Sequence, residues 1–188
     1  MTGGERGPAA PLGAGERARL TRLQAAFCAS FPALAADPLA PRTVVICPSL
    51  SLDPEILKRV AGVNHYEERL LCLLLLLKLR RTRVVFLASA PVAEPIIDDY
   101  LHLLPGVPAR HARARLQILS CDDPSPGPLA QKVLARPRFI QRIRDCVADP
   151  GAAHLSCFTV TEWERRLALA LDLPIYGCDP DLAHWGSK

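Results

Sequence analysis

The stretch Thr43-Val44-Val45-Ile46-Cys47, which is followed directly by Pro48, decides the fold class of this chain. Its β-branched residues favour an extended backbone, and it lacks the polar alternation of a strand with one face in water. Pro48 stops the run because proline cannot donate a hydrogen bond to a sheet ladder. The stretch therefore predicts a short strand that is buried on both faces.

Similar runs recur along the chain, and a helical pattern separates each one from the next. The predicted strands are residues 43–47, 83–87, 116–120, 154–160 and 174–177. Strands that alternate with helices pair in parallel through right-handed crossovers. The sequence therefore predicts an α/β fold with an open, mainly parallel, Rossmann-like sheet of about five strands and flanking helices.

The intervening helices are read from apolar periodicity and from their start and stop signals. The first helix is predicted to close before Pro32. Leu70 to Leu77 is apolar on every side, which predicts a helix sandwiched between the sheet and something else. The predicted helices are residues 16–30, one opened by Asp53-Pro54-Glu55, 65–80 with Asn64 as its cap, 93–104, 129–135, 138–147, and one that runs to residue 171 from the capping box Thr161-Glu162-Trp163-Glu164.

The chain has 188 residues, enough for one domain with a substantial core. Residues 1–15 are rich in Gly, Pro and Ala and have no apolar segment of the kind found in signal peptides. We expect a disordered leader over 1–15, an N-terminal helix over 16–40, and an α/β domain over 41–188.

Charge and cysteine content exclude several classes of function. The excess of 23 basic over 19 acidic residues is too small to indicate a nucleic-acid-binding surface. The seven cysteines show no Cys-x-x-Cys spacing, so neither a disulfide framework nor a zinc site is predicted. The longest apolar run, Leu70 to Leu77, is far shorter than the ~20 residues that span a bilayer. We expect a reduced, cytoplasmic protein with no membrane or nucleic-acid partner.

The polar residues that follow the predicted strands are the candidates for ligand binding, because ligands of open parallel sheets bind beyond the carboxyl ends of the strands. Hydroxyl groups there can join the free N–H groups of a helix start in holding an anion, or they can simply cap their helices, which is the commoner role. The candidate substrate-binding residues are Ser49, Ser89, Asp122, Asp123, Thr161 and Asp179.

Three features in these loops each allow two interpretations. Adjacent carboxylates at Asp122-Asp123 could hold Mg²⁺ or an amine, but the Pro-rich turn after them favours a turn cap. The basic stretch 110–115 could bind a carboxylate or phosphate, although a solvated loop is favoured. Cys47, Cys121 and Cys178 each end a strand, but no His or Asp partner is evident that would make one of them a nucleophile. Neither a dinucleotide-binding glycine motif nor a Walker-type loop is present.

The last stretch of the chain runs from Ile175-Tyr176-Gly177-Cys178-Asp179-Pro180 through His184-Trp185-Gly186-Ser187-Lys188. It resembles the junction that leads into the ATP-grasp domain of bacterial peptide ligases related to the pheganomycin peptide ligase. The resemblance covers about residues 40–188, and the chain departs from the family pattern at Thr159, where Asn is usual, and at Gly127, where Arg is common. Further stretches that match the domain preceding ATP-grasp in this family are 64–69, 89–92, 103–108 with 111–113, and 164–168.

The resemblance implies a pre-ATP-grasp fold and a role in carboxylate–amine ligation. ATP-grasp ligases activate a carboxylate as an acyl phosphate with ATP and Mg²⁺, and the ATP-grasp domain, which would begin after Lys188, holds both. The resemblance therefore implies no cofactor and no catalytic residue in this chain, an ATP-grasp domain as partner in cis or in trans, and an amino-acid or peptide substrate.

Three hypotheses of function remain open at this stage. The first is a substrate-side scaffold domain of an ATP-dependent peptide ligase, inactive alone. The second is a stand-alone, non-catalytic binding or protein-interaction module, because the same domain resembles part of an animal IQ-motif protein that binds other macromolecules. The third is a free-standing enzyme that uses the strand-end loops, for which no complete catalytic constellation is found. We rank them in that order.

Overall fold

A single five-stranded sheet forms the centre of the computed structural model, which describes residues 9–50, 59, 62 and 66–182. The strand order is β3-β2-β1-β4-β5, and every neighbouring pair is parallel. The predicted open, parallel, Rossmann-like α/β sheet is therefore confirmed. The strands are β1 Arg42–Cys47, β2 Thr82–Ala88, β3 Leu116–Ser120, β4 Ala153–Cys157 and β5 Ile175–Tyr176.

Helices connect the strands and cover both faces of the sheet. Among the described residues, three segments are 3₁₀ helices, Glu67–Lys78, Pro150–Ala152 and Pro180–Leu182. The α-helices of these residues are α1 Ala14–Ala36, α2 Glu94–His102, α3 Ala109–Arg113, α4 Leu129–Leu134, α5 Pro137–Asp145 and α6 Glu162–Leu171. Within the described ranges, no helix combines the length and the apolar character needed to cross a membrane.

The order of the strands creates one switch point in the sheet. From β1 the chain moves outward through β2 to β3, and it then returns to place β4 and β5 on the other side of β1. Loops that leave β1 and β4 therefore diverge at the carboxyl edge, which is where open α/β sheets leave a crevice.

Each face of the sheet has its own apolar core. One core includes Val45, Cys47, Val85, Leu87 and Leu155 from the strands, packed under α4, α5 and α6. The other includes Val44, Ile46, Val84 and Phe86, packed under the 3₁₀ helix Glu67–Lys78 and under α2. Burial on both faces explains why the strand sequences show no polar alternation.

The helix predicted over residues 65–80 is a 3₁₀ helix over Glu67–Lys78, and it is not sandwiched between two layers. With three residues per turn, Leu71, Leu74 and Leu77 fall on one line, and all three are 0% exposed. Leu75 falls on a different line and is 53% exposed. Within the described residues, this side of the helix is therefore open to solvent.

Helix α1 continues through Pro32, so the expected end before this proline is wrong. A proline inside a helix costs roughly 3 kcal/mol through its lost hydrogen bond and ring clash. Contacts on both sides of Pro32 offset that cost, since the Phe31 ring lies 5.3 Å from the Tyr176 ring and the Leu34 carbonyl accepts from Arg42 Nη2 at 2.6 Å.

The basic stretch 110–115 is mostly exposed to solvent, as expected, but the expectation of a loop is wrong because most of the stretch belongs to helix α3. Arg115, just after that helix, points its guanidinium at the end of the long 3₁₀ helix. It donates to the carbonyl oxygens of Leu77 at 2.7 Å and of Leu79 and Thr82 at 2.8 Å. Arg115 thus satisfies carbonyls that the end of a helix leaves without partners.

The segment before α1 packs on α6 over the part that the structure describes. Leu12 is buried, and its N–H donates to the Glu162 carboxylate at 3.3 Å. Arg166 donates to the carbonyl oxygen of Ala10 at 2.9 Å. Four parts of the sequence-based prediction lie outside the described residues: residues 1–8 of the expected leader, the helix start at Asp53, the cap Asn64 and the junction residues 183–188.

Candidate functional site

A group of buried and partly buried polar side chains lies at the carboxyl edge of the sheet, beyond β2 and β3. We call Glu67, Ser89, Asp123, Lys132 and Arg136 the Ser89 cluster. Ser89 is 0% exposed, and both its N–H and its hydroxyl donate to the Glu67 carboxylate at 2.6 Å. Lys132 Nζ donates to Ser89 Oγ at 2.8 Å and to the Asp123 carbonyl at 2.9 Å. Ser89 therefore holds two elements together and does not cap the helix that follows it.

The electrostatics of the Ser89 cluster follow from burial. Burial lowers the pKa of Lys132, and the nearby carboxylates of Glu67 and Asp123 only partly oppose that shift. Burial also raises the pKa of Glu67, although the hydrogen bonds from Ser89 act in the other direction. Each charged group is thus destabilised by the interior and stabilised by its partner across Ser89.

Asp123 makes the turn that the proline-rich sequence favours. Its carboxylate accepts from the N–H of Ser125 at 3.1 Å and from Arg136 Nη2 at 2.9 Å, while its own N–H donates to the Ser89 carbonyl at 2.7 Å. Burial raises the pKa of Asp123, but the bonds from Ser125 and Arg136 outweigh it and leave the pKa below its usual value. These contacts tie the loop after β3 to the loop after β2.

The neighbouring Asp122 does not share that environment. It is exposed and adopts the left-handed conformation with φ 52°, and its N–H donates to Ser120 Oγ at 3.0 Å. In the part of the chain that the structure describes, no three His, Cys, Asp or Glu side chains are grouped to hold a metal ion.

Ser49 lies at the switch point, directly after β1, and is fully buried. Its hydroxyl accepts from the N–H of Ala130 at 3.3 Å, in the first turn of α4. Its carbonyl accepts from Thr159 Oγ1 at 2.9 Å. Ser49 thus caps a helix distant in sequence, and Thr159, one of the two departures from the family pattern, joins the loops after β1 and β4.

Thr161 caps helix α6 as the sequence predicts. Its hydroxyl oxygen accepts from the N–H of Trp163 at 3.2 Å, and its own N–H and hydroxyl donate to the Glu164 carboxylate at 2.8 and 2.6 Å. The predicted capping box is therefore confirmed.

Asp179 joins a second charged group, which is centred on Arg165 of helix α6. The Arg165 side chain is 7% exposed and donates to Asp179, to Glu162 at 2.6 Å and to Asp181 at 3.1 Å. Burial lowers the pKa of Arg165, but the three carboxylates outweigh it and raise the pKa overall. This pairing holds the segment after β5 against α6.

A cavity of about 290 Å³ lies between α1 and the segment that follows β5. Its polar lining includes Arg17, Thr21, Gln24, Arg165 and residues 178–181. Its size is at the lower end of the ~300–1,000 Å³ range of ligand pockets. Charges of both signs thus line one concave surface.

Gly177, which also lines this cavity, sits where the backbone passes close to the loop after β4. A Cβ atom at this position would lie 2.7 Å from Val160 Cγ2, which is too close for any larger residue without a shift of the chain.

The structure places four of the six predicted site residues in two groups and leaves Ser49 and Asp122 outside both. Ser89 and Asp123 belong to the Ser89 cluster, Thr161 and Asp179 lie near Arg165, Ser49 lies at the switch point, and Asp122 is in none of these contacts. Sequence reasoning did not single out Glu67, Lys132 or Arg165. One signal was available for Lys132, since it is one of only four lysines and lies in a largely apolar helix.

No protein-family model, no curated protein and no solved structure matches this chain.

Proposed function

We propose that this chain is the substrate-side scaffold domain of an ATP-dependent carboxylate–amine ligase and that it is not catalytic alone. The sequence resemblance to the pre-ATP-grasp domain of peptide ligases suggests the reaction, and the open parallel sheet is compatible with that domain. The cavity beside residues 178–181 carries the proposal, because it adjoins the stretch that resembles the junction into the ATP-grasp domain.

The charges around the cavity suit an amino acid or a peptide terminus. Arg17 and Asp181 both line it, and their side chains are 55% and 62% exposed with 3.9 Å between their charged atoms. A zwitterionic ligand would place its carboxylate at Arg17 and its ammonium group at Asp181. Arg165, buried among three carboxylates, fixes the position of Asp181 and is not offered to the ligand.

The polar groups at the carboxyl edge support a scaffold role more than a chemical one. Ser89 and Lys132 could resemble a nucleophile and its base, but Ser89 is 0% exposed and Lys132 is only 7% exposed. Their hydrogen bonds join the loops after β2 and β3 to helix α4 and to the long 3₁₀ helix. They therefore define the shape of this edge, against which an ATP-grasp domain would pack.

The experiment is reconstitution with an ATP-grasp domain of the peptide-ligase group, joined after Lys188 or added in trans. We expect phosphate release from ATP that requires this chain, Mg²⁺ and an amino acid or peptide. Arg17→Met should raise the KM for the amino-acid substrate and leave the KM for ATP nearly unchanged. Arg22→Met, an exposed change further along the same helix, should alter neither. Low-micromolar binding of ATP to the isolated chain would contradict the proposal.

A stand-alone interaction module is the second candidate, and exposed apolar side chains favour it. Leu75 on the long 3₁₀ helix is 53% exposed, and Leu103 at the end of α2 is 67% exposed. If the chain acts by binding a protein through this face, Leu75→Asp with Leu103→Asp should abolish that complex in sedimentation velocity and leave ligase reconstitution unaffected.

A further inference from the structure

Cys47 and Cys157 end two neighbouring strands and lie side by side on the same face of the sheet. They are the last residues of β1 and β4 and are partners in the parallel register of these strands. Both side chains belong to the same core, on the face covered by α4, α5 and α6. Paired parallel strands lie about 4.8 Å apart, and disulfides form between residues whose Cα atoms are about 4.4–6.8 Å apart. Both cysteines are free thiols.

The two thiols differ in their access to solvent. Cys47 is 0% exposed, whereas Cys157 is half-buried and lies beside the exposed Phe158. The neighbouring Cys157 thiol, and then burial, raise the pKa of Cys47 well above its usual value. A reagent from solvent therefore meets Cys157 first, and Cys47 stays a protonated, sheltered thiol until Cys157 has reacted.

Because both cysteines lie at the ends of their strands, a disulfide between them is feasible. A disulfide between register partners inside a sheet must still adopt its own dihedral geometry, and ladder hydrogen bonds on both sides of the pair would resist that adjustment. Here the paired register of β1 and β4 ends at the two cysteines, so on their carboxyl side no further ladder hydrogen bonds between these strands resist the adjustment. The loops that begin there are already joined by the bond from Thr159 Oγ1 to the Ser49 carbonyl.

We propose that Cys47 and Cys157 are a redox-responsive dithiol that closes to a disulfide by exchange with a low-molecular-weight disulfide, joining the loops after β1 and β4 at the switch point. The Cys157 thiolate attacks one sulfur of the small disulfide, forms a mixed disulfide and releases one small thiolate, which takes up a proton. Cys47 then loses its proton, attacks the Cys157 sulfur and releases the second small thiol. The protein gives up two electrons and two protons, and the small disulfide is reduced to two thiols.

The consequence is a covalent clamp on the crevice of the sheet. The reduced form holds the two loops together by the Ser49–Thr159 hydrogen bond, and the oxidised form adds a bond between the residues that precede each loop. The clamp depends only on the register of β1 and β4, so it is independent of the ligase proposal.

The test is incubation of the reduced, folded chain with excess glutathione disulfide, followed by alkylation, proteolysis and mass spectrometry. We expect a peptide pair joined through Cys47 and Cys157, with the loss of two hydrogens and reversal by dithiothreitol. Cys47→Ala should trap the glutathione adduct on Cys157, whereas Cys157→Ala should leave Cys47 unmodified. Cys146→Ala, which removes a half-buried thiol outside the pair, should leave the link intact.

Each departure from this pattern overturns the proposal. Two results with the wild-type chain overturn the proposal. One is the absence of the Cys47–Cys157 link once the exposed Cys28 has reacted completely, and the other is a link from Cys47 to another cysteine. If the alanine variants do not fold, which circular dichroism would show, the order of alkylation in the reduced wild type decides. Cys157 must then react before Cys47, and the reverse order contradicts the mechanism.

Discussion

Lys132 carries its positive charge into the interior of the molecule, where Ser89 and the Asp123 carbonyl bind its ammonium group. Glu67 supplies the balancing charge from the other side of Ser89. These residues are far apart in sequence, and neither periodicity nor a motif relates them. The Ser89 cluster therefore could not be predicted from the sequence, although the turn formed by Asp123 and Ser125 could, because it is local.

Replacing Lys132 should show how far the Ser89 cluster depends on charge balance. Lys132→Met leaves the Glu67 carboxylate without its counter-charge, so the free energy of unfolding should fall by about 3 kcal/mol. Adding Glu67→Gln should restore much of that loss, because the carboxylate that lost its counter-charge is then neutral, and Asp123 and Arg136 still pair with each other. Urea unfolding at pH 7 measures both, with the exposed Arg138→Met as the control. Equal losses in the single and double variants would rule out a charge-balanced pair.

His154 gives the protein a dependence of stability on pH. Burial, and then the nearby Arg42, lower its pKa from 6.5 to about 4, so the folded state holds the neutral imidazole. The unfolded chain binds this proton near pH 6.5 and the folded one only near pH 4, so stability is lost as the pH falls through that window. The loss attributable to His154 is about 3 kcal/mol.

Urea unfolding between pH 7 and pH 4 measures this loss as the difference between the wild type and His154→Leu. The wild type should lose more stability on acidification than the variant, which lacks the titrating group. Parallel curves for the two proteins would show that His154 does not titrate in this window.

Helix α1 acts at the level of elements, where it covers the edge of the sheet. The Gln24 side chain takes the place of a neighbouring strand, since its Oε1 accepts from the N–H of Ile175 at 2.6 Å and its Nε2 donates to the Ile175 carbonyl at 3.0 Å. Further along α1, the Phe27 ring packs 5.2 Å from the His154 ring. An edge strand left open invites pairing with another chain.

Gln24→Ala should uncover that edge. Two hydrogen bonds worth about 1 kcal/mol each are lost, so the free energy of unfolding should fall by about 1–2 kcal/mol. The variant should also aggregate faster on heating, as light scattering would show. Gln141→Ala, whose amide only reaches Asp145 on an exposed helix surface, is the matched control and should change neither. A variant as stable and as slow to aggregate as the control would refute the role of Gln24.

The long 3₁₀ helix marks the limit of sequence prediction at this scale. Leu70 to Leu77 is apolar throughout, so its pattern is compatible with a period of 3.0 residues as well as with 3.6. The carbonyls at its end are satisfied by Arg115, which lies in a different part of the chain. Tertiary contacts of this kind also carry α1 through Pro32, and a local pattern does not contain them.

At the scale of the whole molecule, the alternation of apolar strands with helices was sufficient to predict the sheet. Burial on both faces leaves a clear mark in each strand, and helical crossovers leave parallel pairing as the solution. The site was predicted less well, because the position of a strand-end loop follows from topology but the partners of its side chains do not. The capping role of Thr161 was predicted, since its capping box is local, whereas Arg165 and its three carboxylates come together only in the folded chain.

The central claim is that the chain receives an amino-acid or peptide substrate in the cavity beside α1 and does not hold the nucleotide. The most direct measurement is the chemical-shift change of backbone amides in the ¹⁵N-labelled chain during separate titrations with a zwitterionic dipeptide, alanyl-alanine, and with ATP and Mg²⁺. We predict that the dipeptide shifts the amides of residues 177–181 and of the α1 turns around Arg17 and Thr21, that Arg17→Met abolishes this response, and that ATP produces none. Saturable, low-micromolar shifts with ATP, or a dipeptide response absent from these residues, would contradict the account.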